Sequence, residues 1–162
     1  MWGFDMAIKV YKIDTRSELA MDMILYFMFH SEIYEKMEPV LLTPKGIHQF
    51  LSMIERGETN IFMSFDDDFK PMGFIHGRFD AATRTYFSHC CFLPSKYVLE
   101  ASRQTEALMR QIYNPLKMIC NIPENNRAAI LHALKMGLKK VGENKNLVWD
   151  GKIKSIQYIK EY

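Results

Sequence analysis

The 162-residue sequence has few cysteines and no spacing that would pair them. Its three cysteines, Cys90, Cys91 and Cys120, are odd in number and lack a CxxC pattern, which argues against a disulfide framework and a zinc knuckle. Glycine (8) and proline (6) are not abundant, so collagen-like and low-complexity chains are excluded. The longest apolar run, residues 19–29, contains Asp22 and is about half the length of a membrane span.

The sequence also lacks the features of a secreted protein at its start. The first five residues have neither a basic group nor a clean apolar stretch, so no secretory signal is predicted. Hydrophobic residues make up 48% of the chain, which is too much for a disordered protein. We therefore expect residues 1–162 to form a single domain in the cytoplasm, with no membrane partner.

Net charge is small but unevenly distributed along the chain. Residues 1–102 have 10 Lys and Arg against 14 Asp and Glu, whereas residues 103–162 have 11 against 5. The C-terminal part is therefore net positive by 6 and the rest net negative by 4. This asymmetry is compatible with a phosphorylated ligand, with a nucleic acid, or with attraction between the two parts of the fold itself.

Hydrophobic periodicity and turn signals predict eleven elements. The predicted strands cover residues 7–13, 60–65, 72–79, 85–93, 116–122, 138–142 and 153–158, with 147–149 as a candidate extension of the sixth. Helices are predicted to start at Asp14-Thr15 with Glu18 as a capping-box partner, at Thr43-Pro44, at Val98 and at Asn125. The helix from Val98 extends to about Tyr113, and the last helix ends at Met136 before Gly137.

The resulting order is β-α-α-β-β-β-α-β-α-β-β. Three meandering strands followed by a strand reached through a helix predict an α/β domain with a mixed, mostly antiparallel central sheet and helices on both faces. The strands on either side of the helix from Val98 should be parallel neighbours.

This order, with the stretch from Asn126 to Leu138, resembles the GNAT superfamily of acyl-CoA-dependent N-acyltransferases. Asn126, Ala129 and Gly137 match the superfamily's N-x-x-A/S-…-G-F helix, with Leu138 in place of Phe. The resemblance extends over about residues 7–160. It implies a GNAT-like fold, acetyl-CoA or another acyl-CoA as substrate, and an amine as acceptor.

A second GNAT signature, a glycine-rich loop for the pyrophosphate of coenzyme A, is incomplete. In the segment from Phe92 to Ser102, Pro94 matches the pattern, Tyr97 replaces a Gln or Arg, and the three small positions hold Val98, Glu100 and Ser102. Glycines there let backbone N–H groups approach phosphate at a helix N-terminus. The nearby cations Lys96 and Arg103 are candidates to compensate in part.

The resemblance also implies where the reaction would occur. The backbone of Cys91, Phe92 and Leu93 would bind the pantetheine arm, Ser102 and Arg103 would lie near the phosphates, and Asn126 would be a ligand of coenzyme A or a helix cap.

On the fourth strand, His89 is the candidate general base because it titrates near neutral pH; a structural imidazole is its alternative reading. The superfamily's Tyr proton donor corresponds to Ala133, and His132, rotated by about 100° from it, is expected to face elsewhere.

Two other clusters have simpler interpretations than a site. Asp66–Asp68 resembles a metal site, but no further acidic ligands follow at calcium-loop spacing, so a solvated hairpin tip is favoured and no metal is predicted. Cys90 and Cys91 point to opposite faces of a strand and are expected to behave as small apolar residues rather than as nucleophiles.

Two functions remain open at this point. The first is a divergent acyl-CoA-dependent N-acyltransferase, and the alternative is a catalytically inactive GNAT-like protein that binds a protein partner or assists assembly. The lost glycine loop and Ala133 favour the second, as does a faint resemblance to phage- and prophage-encoded GNAT-like proteins.

A homodimer through C-terminal edge strands carrying Tyr158 and Tyr162 is a candidate assembly. Nucleic-acid binding through Lys135, Lys139, Lys140 and Lys145 is disfavoured because no recognition motif accompanies them.

Overall fold

The structure is a computed structural model that describes residues 7–30, 43–148 and 153–162, with the backbone alone for residues 143–148 and 153. Seven strands and four helices lie in this part of the chain: β1 (Lys9–Lys12), α1 (Glu18–Met28), α2 (Pro44–Glu55), β2 (Asn60–Phe65), β3 (Pro71–Asp80), β4 (Thr85–Phe92), α3 (Val98–Tyr113), β5 (Lys117–Pro123), α4 (Arg127–Lys135), β6 (Lys139–Val148) and β7 (Ile153–Glu161). None of these helices is long and apolar enough to cross a membrane.

All seven strands form one mixed sheet in the order β1-β2-β3-β4-β5-β7-β6. Only the β4–β5 pair is parallel, and α3 connects these two strands. The other neighbouring pairs are antiparallel. The predicted α/β class and element order are therefore confirmed.

Two apolar clusters cover the two faces of the sheet. On one face, α1 and α2 pack Ile24, Phe27 and Ile54 against Ile61 and other residues of β2 and β3. Because side chains alternate along a strand, the next residue, Phe62, packs on the other face with residues of α3, α4 and β5. We refer to these as the α1–α2 face and the α3–α4 face.

The first helix starts later than the sequence predicts. Ser17 is its N-cap and makes no side-chain cap, so the predicted capping box at Thr15 does not form. The Thr15 hydroxyl instead donates to the carbonyl of Ile54 in α2, over 3.0 Å. At α2 the predicted helix start at Thr43-Pro44 is confirmed. Thr43 is the N-cap, and its hydroxyl accepts from the amide of Gly46.

The C-terminal strand is not at the edge of the sheet. β7 lies between β5 and β6, and Tyr158 is buried in the α3–α4 cluster. The expected dimer contact through Tyr158 and Tyr162 on an edge strand is therefore wrong in its placement. In the part of the chain that is described, the sheet edges are β1 and β6.

Candidate active site

The two parallel strands separate before either one ends. β4 pairs with β5 only from Thr85 to Phe87, opposite Lys117 to Ile119, although β4 continues to Phe92 and β5 to Pro123. The rest of β5 pairs with β7 on its other side. A gap therefore opens in the sheet beside the second half of β4.

Two backbone N–H groups of β4 face this gap. The amide of Leu93 donates to the carbonyl of Met72 on β3, over 3.3 Å. Bonded and non-bonded pairs alternate along an antiparallel ladder, so the amide of Cys91 also points to β3. The amides of Cys90 and Phe92 point the other way, into the gap. Of the segment Cys91–Leu93 singled out in the sequence, Phe92 thus supplies the amide that is free for a ligand.

A cleft of about 400 Å³ passes through the gap and reaches both faces of the sheet. Its lining includes Met28, Phe50 and Met53 from the α1–α2 face and Ser102, Met109 and Met136 from the α3–α4 face. Four of the candidate residues line it, namely His89, Cys91, Ser102 and Asn126. Phe92, Leu93 and Arg103 are absent from the described lining, and Arg103 is exposed on α3.

His89 stacks on a second histidine that the sequence analysis did not single out. His89 and His76 are directly opposite each other on β4 and β3, and their rings are 5.1 Å apart with an interplanar angle of 17°. The ring of Phe50 packs edge-on against His76 at 5.2 Å. Since the register of two strands sets this pair, only a correct hairpin register between β3 and β4 would have predicted it.

Both imidazoles are neutral at physiological pH. Burial, with a smaller contribution from neighbouring His89, lowers the pKa of His76 to about 3. His89 is open to the cleft, yet the protein around it lowers the pKa of this imidazole as well. A neutral imidazole can accept a proton, so His89 meets the first requirement of a general base.

His132 also lines the cleft, contrary to expectation. Its Nε2 lies 2.9 Å from the hydroxyl of Ser102, so the pair joins α4 to α3. Ala133, which occupies the position of the superfamily's tyrosine, lines the same cleft. Two consecutive helical positions reach the cleft because it extends along more than one side of α4.

Asn126 caps α4 and also lines the cleft. Its side-chain oxygen accepts the amide of Ala129 over 3.1 Å and caps α4. The oxygen of an asparagine caps a helix while the NH₂ group keeps its two donors. Because Asn126 lines the cleft, that NH₂ group is available to a ligand.

The first turn of α3 is the candidate phosphate site. No side chain caps this helix at Tyr97. The amides of Tyr97 and Val98 donate to the hydroxyl and the carbonyl of Ser95, so the next two amides of the first turn, those of Leu99 and Glu100, are the ones offered to an anion. Glu100 is exposed and accepts a hydrogen bond from the side chain of Gln104 over 3.0 Å. Lys96 lies over the ring of Tyr97 at 4.9 Å.

The three cysteines are poor nucleophiles. Enclosure by protein raises the pKa of Cys90, which is accessible from the cleft, and that of Cys91. Burial likewise raises the pKa of Cys120 to about 12. Since the thiolate is the reactive form, these side chains remain protonated at neutral pH. Among the described residues, no group of three or more His, Cys, Asp or Glu side chains is placed to hold a metal ion.

Comparisons with solved structures identify this architecture. The ribosomal-protein-S5-alanine acetyltransferase from Vibrio fischeri is 15% identical, with a TM-score of 0.68 over 99% of this chain and 95% of the other. Spermidine N-acetyltransferase from Vibrio cholerae, solved with CoA and spermine, is 10% identical, with a TM-score of 0.75 over 95% of each chain. An acetyltransferase of the GNAT family from Bacillus anthracis is 13% identical, with a TM-score of 0.71 over 95% and 94%.

The chain has the GNAT fold. This confirms the fold that the resemblance implies, and the identities of 10–15% show the fold alone. No family model matches the sequence, and no curated protein matches it. The three neighbours are bacterial proteins, and they lend no support to the faint resemblance to phage- and prophage-encoded proteins.

Proposed function

We propose that the protein is a divergent acyl-CoA-dependent N-acyltransferase that transfers an acetyl group from acetyl-CoA to an amine. The observation that carries the proposal is the gap between β4 and β5, with its free amides and a cleft that reaches both faces of the sheet. Such a gap lets a thioester arrive from one face and an amine from the other. The solved neighbours with this fold, named as acetyltransferases, support the same assignment.

In this proposal the coenzyme enters on the α3–α4 face. The amides of Cys90 and Phe92 bind the pantetheine arm beside the unpaired part of β4. The side chain of Asn126, which lines the cleft, donates to this arm from the start of α4. The phosphates lie at the uncapped N-terminus of α3, near Ser102 and the cations Lys96 and Arg103. The basic C-terminal part of the chain suits an anionic coenzyme.

The amine enters on the α1–α2 face, where His89 lies. His89 accepts a proton from the amine as its nitrogen attacks the thioester carbonyl. The oxyanion formed on the carbonyl oxygen is stabilised by a free amide of β4. When the carbon–sulfur bond breaks, the acyl group stays on the amine nitrogen, and coenzyme A leaves as a thiolate that takes up a proton.

The alternative is a GNAT-like protein that has lost catalysis and acts as a binding or assembly factor. It is favoured by Val98 and Glu100, whose side chains occupy the first turn of α3 where the superfamily has small residues. Ala133 in the cleft also leaves the usual proton donor missing. The two proposals differ in whether acetyl-CoA binds, which is directly measurable.

Isothermal titration of acetyl-CoA, and separately of free coenzyme A, tests the proposal. We expect a dissociation constant in the micromolar range, which corresponds to about 8 kcal/mol. Asn126→Ser retains a capping oxygen and should keep the stability of α4, whereas Asn126→Ala should cost about 1 kcal/mol. Both variants lose the NH₂ donor, so both should weaken acetyl-CoA binding. No heat of binding up to millimolar ligand would contradict the acyltransferase and favour the inactive alternative.

A further inference from the structure

A second cavity adjoins the cleft on the α1–α2 face. It has a volume of about 620 Å³ and shares Phe50, Met53, His76 and His89 with the cleft. A molecule seated in the second cavity therefore contacts the same histidine pair that faces the gap. This arrangement makes the second cavity the approach for the acceptor amine.

The described lining of this cavity contains one guanidinium, that of Arg78, and one carboxylate, that of Glu58, and the carboxylate is held in a salt bridge. Glu58 is held by Arg56, with Nε to Oε1 at 2.6 Å and a second contact at 3.3 Å. Arg78 is exposed and lies over the ring of Phe87 at 5.4 Å. Among the described residues, no salt bridge to Arg78 is present.

Asp80, two residues further along β3, is the nearest acid on that strand, and its carboxylate is already used. It accepts from the hydroxyl of Thr83 over 2.6 Å and from the amide of Ala82 over 3.1 Å, and it does not belong to the described lining of the cavity. The charge of Arg78 contributes to lowering the pKa of Asp80, so the two groups attract each other. Because Asp80 lies outside the described lining, the guanidinium of Arg78 is the cation that a ligand in the cavity meets.

The sheet fixes the spacing between this charge and the histidine pair. Arg78 is opposite Phe87, and His76 is opposite His89, at successive same-face positions of the β3–β4 ladder. Residues two apart on a strand are separated by about 7 Å. A ligand with its nitrogen at His89 and an anionic group at Arg78 would have several bonds between the two.

We propose that the acceptor is a primary amine that also carries a carboxylate, which Arg78 binds. The inference rests on the proposed acyltransferase function and names its substrate class. Arginine binds carboxylates through paired N–H donors, whereas a second ammonium group at the same position would be repelled. The cavity thus selects an amino acid-like acceptor and disfavours a diamine.

Three five-carbon amines differ only in the group at the end opposite the reacting nitrogen, which is a carboxylate, a methyl or a second ammonium. They are 5-aminopentanoate, pentylamine and 1,5-diaminopentane. Their binding is measured by ligand-observed NMR without acetyl-CoA, and their N-acetylation in an equimolar mixture with acetyl-CoA is measured by mass spectrometry. We expect 5-aminopentanoate to bind and react at least about tenfold better than pentylamine, and the diamine to be the weakest. Arg78→Gln should abolish this preference. The matched control Arg16→Gln, on an exposed arginine paired with Asp14, should retain it.

The binding measurement and the N-acetylation measurement together separate failure of the carboxylate inference from failure of the proposed acyltransferase function. Arg78-dependent binding of 5-aminopentanoate without any N-acetylation would retain the carboxylate site and reject acyl transfer. N-acetylation with a preference for the diamine or for pentylamine would retain acyl transfer and overturn the carboxylate site. No saturable binding of any of the three amines would also overturn it, as would a preference that persists in Arg78→Gln.

Discussion

His76 and His89 show how much of the site's chemistry is set by burial of single residues. Two stacked imidazoles 5.1 Å apart cannot both be protonated cheaply, because each would place a positive charge beside the other in an enclosed position. The neutral ring of His76 packs with Phe50 and Phe74 as an ordinary aromatic ring. The same packing that keeps His89 able to accept a proton therefore makes the fold sensitive to acid.

We expect His76→Phe to make the protein less sensitive to acid. The pKa of His76 is lowered to about 3 in the folded state, against about 6.5 in an unfolded chain. Between these values the unfolded state binds the extra proton, so stability falls as pH falls below about 6.5, by at most about 1.4 kcal/mol per pH unit. Phenylalanine retains the ring and removes the proton site.

Urea unfolding from pH 7.5 to pH 4.5 measures this effect. The free energy of unfolding should fall less steeply with decreasing pH in His76→Phe than in the wild type. His48→Phe, at an exposed position on α2, is the matched control and should keep the wild-type slope. Equal slopes in the wild type and His76→Phe would contradict the burial of a neutral His76.

Single residues of the candidate site were predicted where residue type and the neighbouring sequence were enough to single them out. Asn126 was singled out because a capping asparagine and a helix motif lie at one position, and His89 because histidine is the residue type on β4 whose ordinary pKa is near neutral. His76 was missed and His132 was wrongly expected to face elsewhere, because their placement depends on partners on other elements, His89 and Ser102.

At the scale of the elements, periodicity predicted β2 and α3 with the bounds that the structure shows. It failed at the start of α1, where the candidate cap Thr15 bonds to α2 instead. It also predicted too short a β6. This strand continues to Val148, with irregular pairing after Lys140 and Asn144. Local patterns omit tertiary hydrogen bonds and register shifts, and each of these two differences involves one of them.

The β3–β4 hairpin requires a glycine at position 77. A Cβ there would clash with the carbonyl oxygen of Phe87 and with the ring of Tyr86. We therefore expect Gly77→Ala to lower the free energy of unfolding by about 1–3 kcal/mol, because a backbone atom is among those that must move. Gly142→Ala on β6 meets no atom within 4 Å and is the matched control, for which we expect little change.

Chemical denaturation of the two alanine variants beside the wild type tests this expectation. The His76–His89 pair is next to Gly77 on the ladder, so Gly77→Ala should also perturb the imidazole resonances in NMR spectra. Equal free energies of unfolding for the two variants would contradict the prediction, because they would show that the β3–β4 hairpin accommodates a Cβ at position 77 without cost.

At the scale of the whole molecule, the gap in the sheet arises from strand order. β5 leaves β4 and pairs along its full length with β7, which enters between β5 and β6. The element order predicted the parallel β4–β5 pair, but nothing in the local sequence indicates that β7 lies inside the sheet. The candidate site is therefore a product of the topology, and the C-terminal strand holds it open.

Lys160 ties this strand to the helices of the α3–α4 face. Its Nζ lies 2.7 Å from the carboxylate of Glu106 on α3 and donates to the carbonyl of Met136 after α4, over 2.9 Å. Glu106 is only 9% exposed and lines the cleft. One ammonium group thus partners a buried carboxylate and the end of a second helix.

We expect Lys160→Met to destabilise the protein by about 3–5 kcal/mol, because it leaves Glu106 buried without a cation. Adding Glu106→Gln should recover part of that loss, since a neutral amide needs no counter-ion. Lys139→Met, at an exposed lysine of β6, should change stability by less than about 0.5 kcal/mol. The comparison uses urea unfolding of the three variants and the wild type. If Lys160→Met is as stable as Lys139→Met, the link between β7 and the helices contributes nothing to the fold.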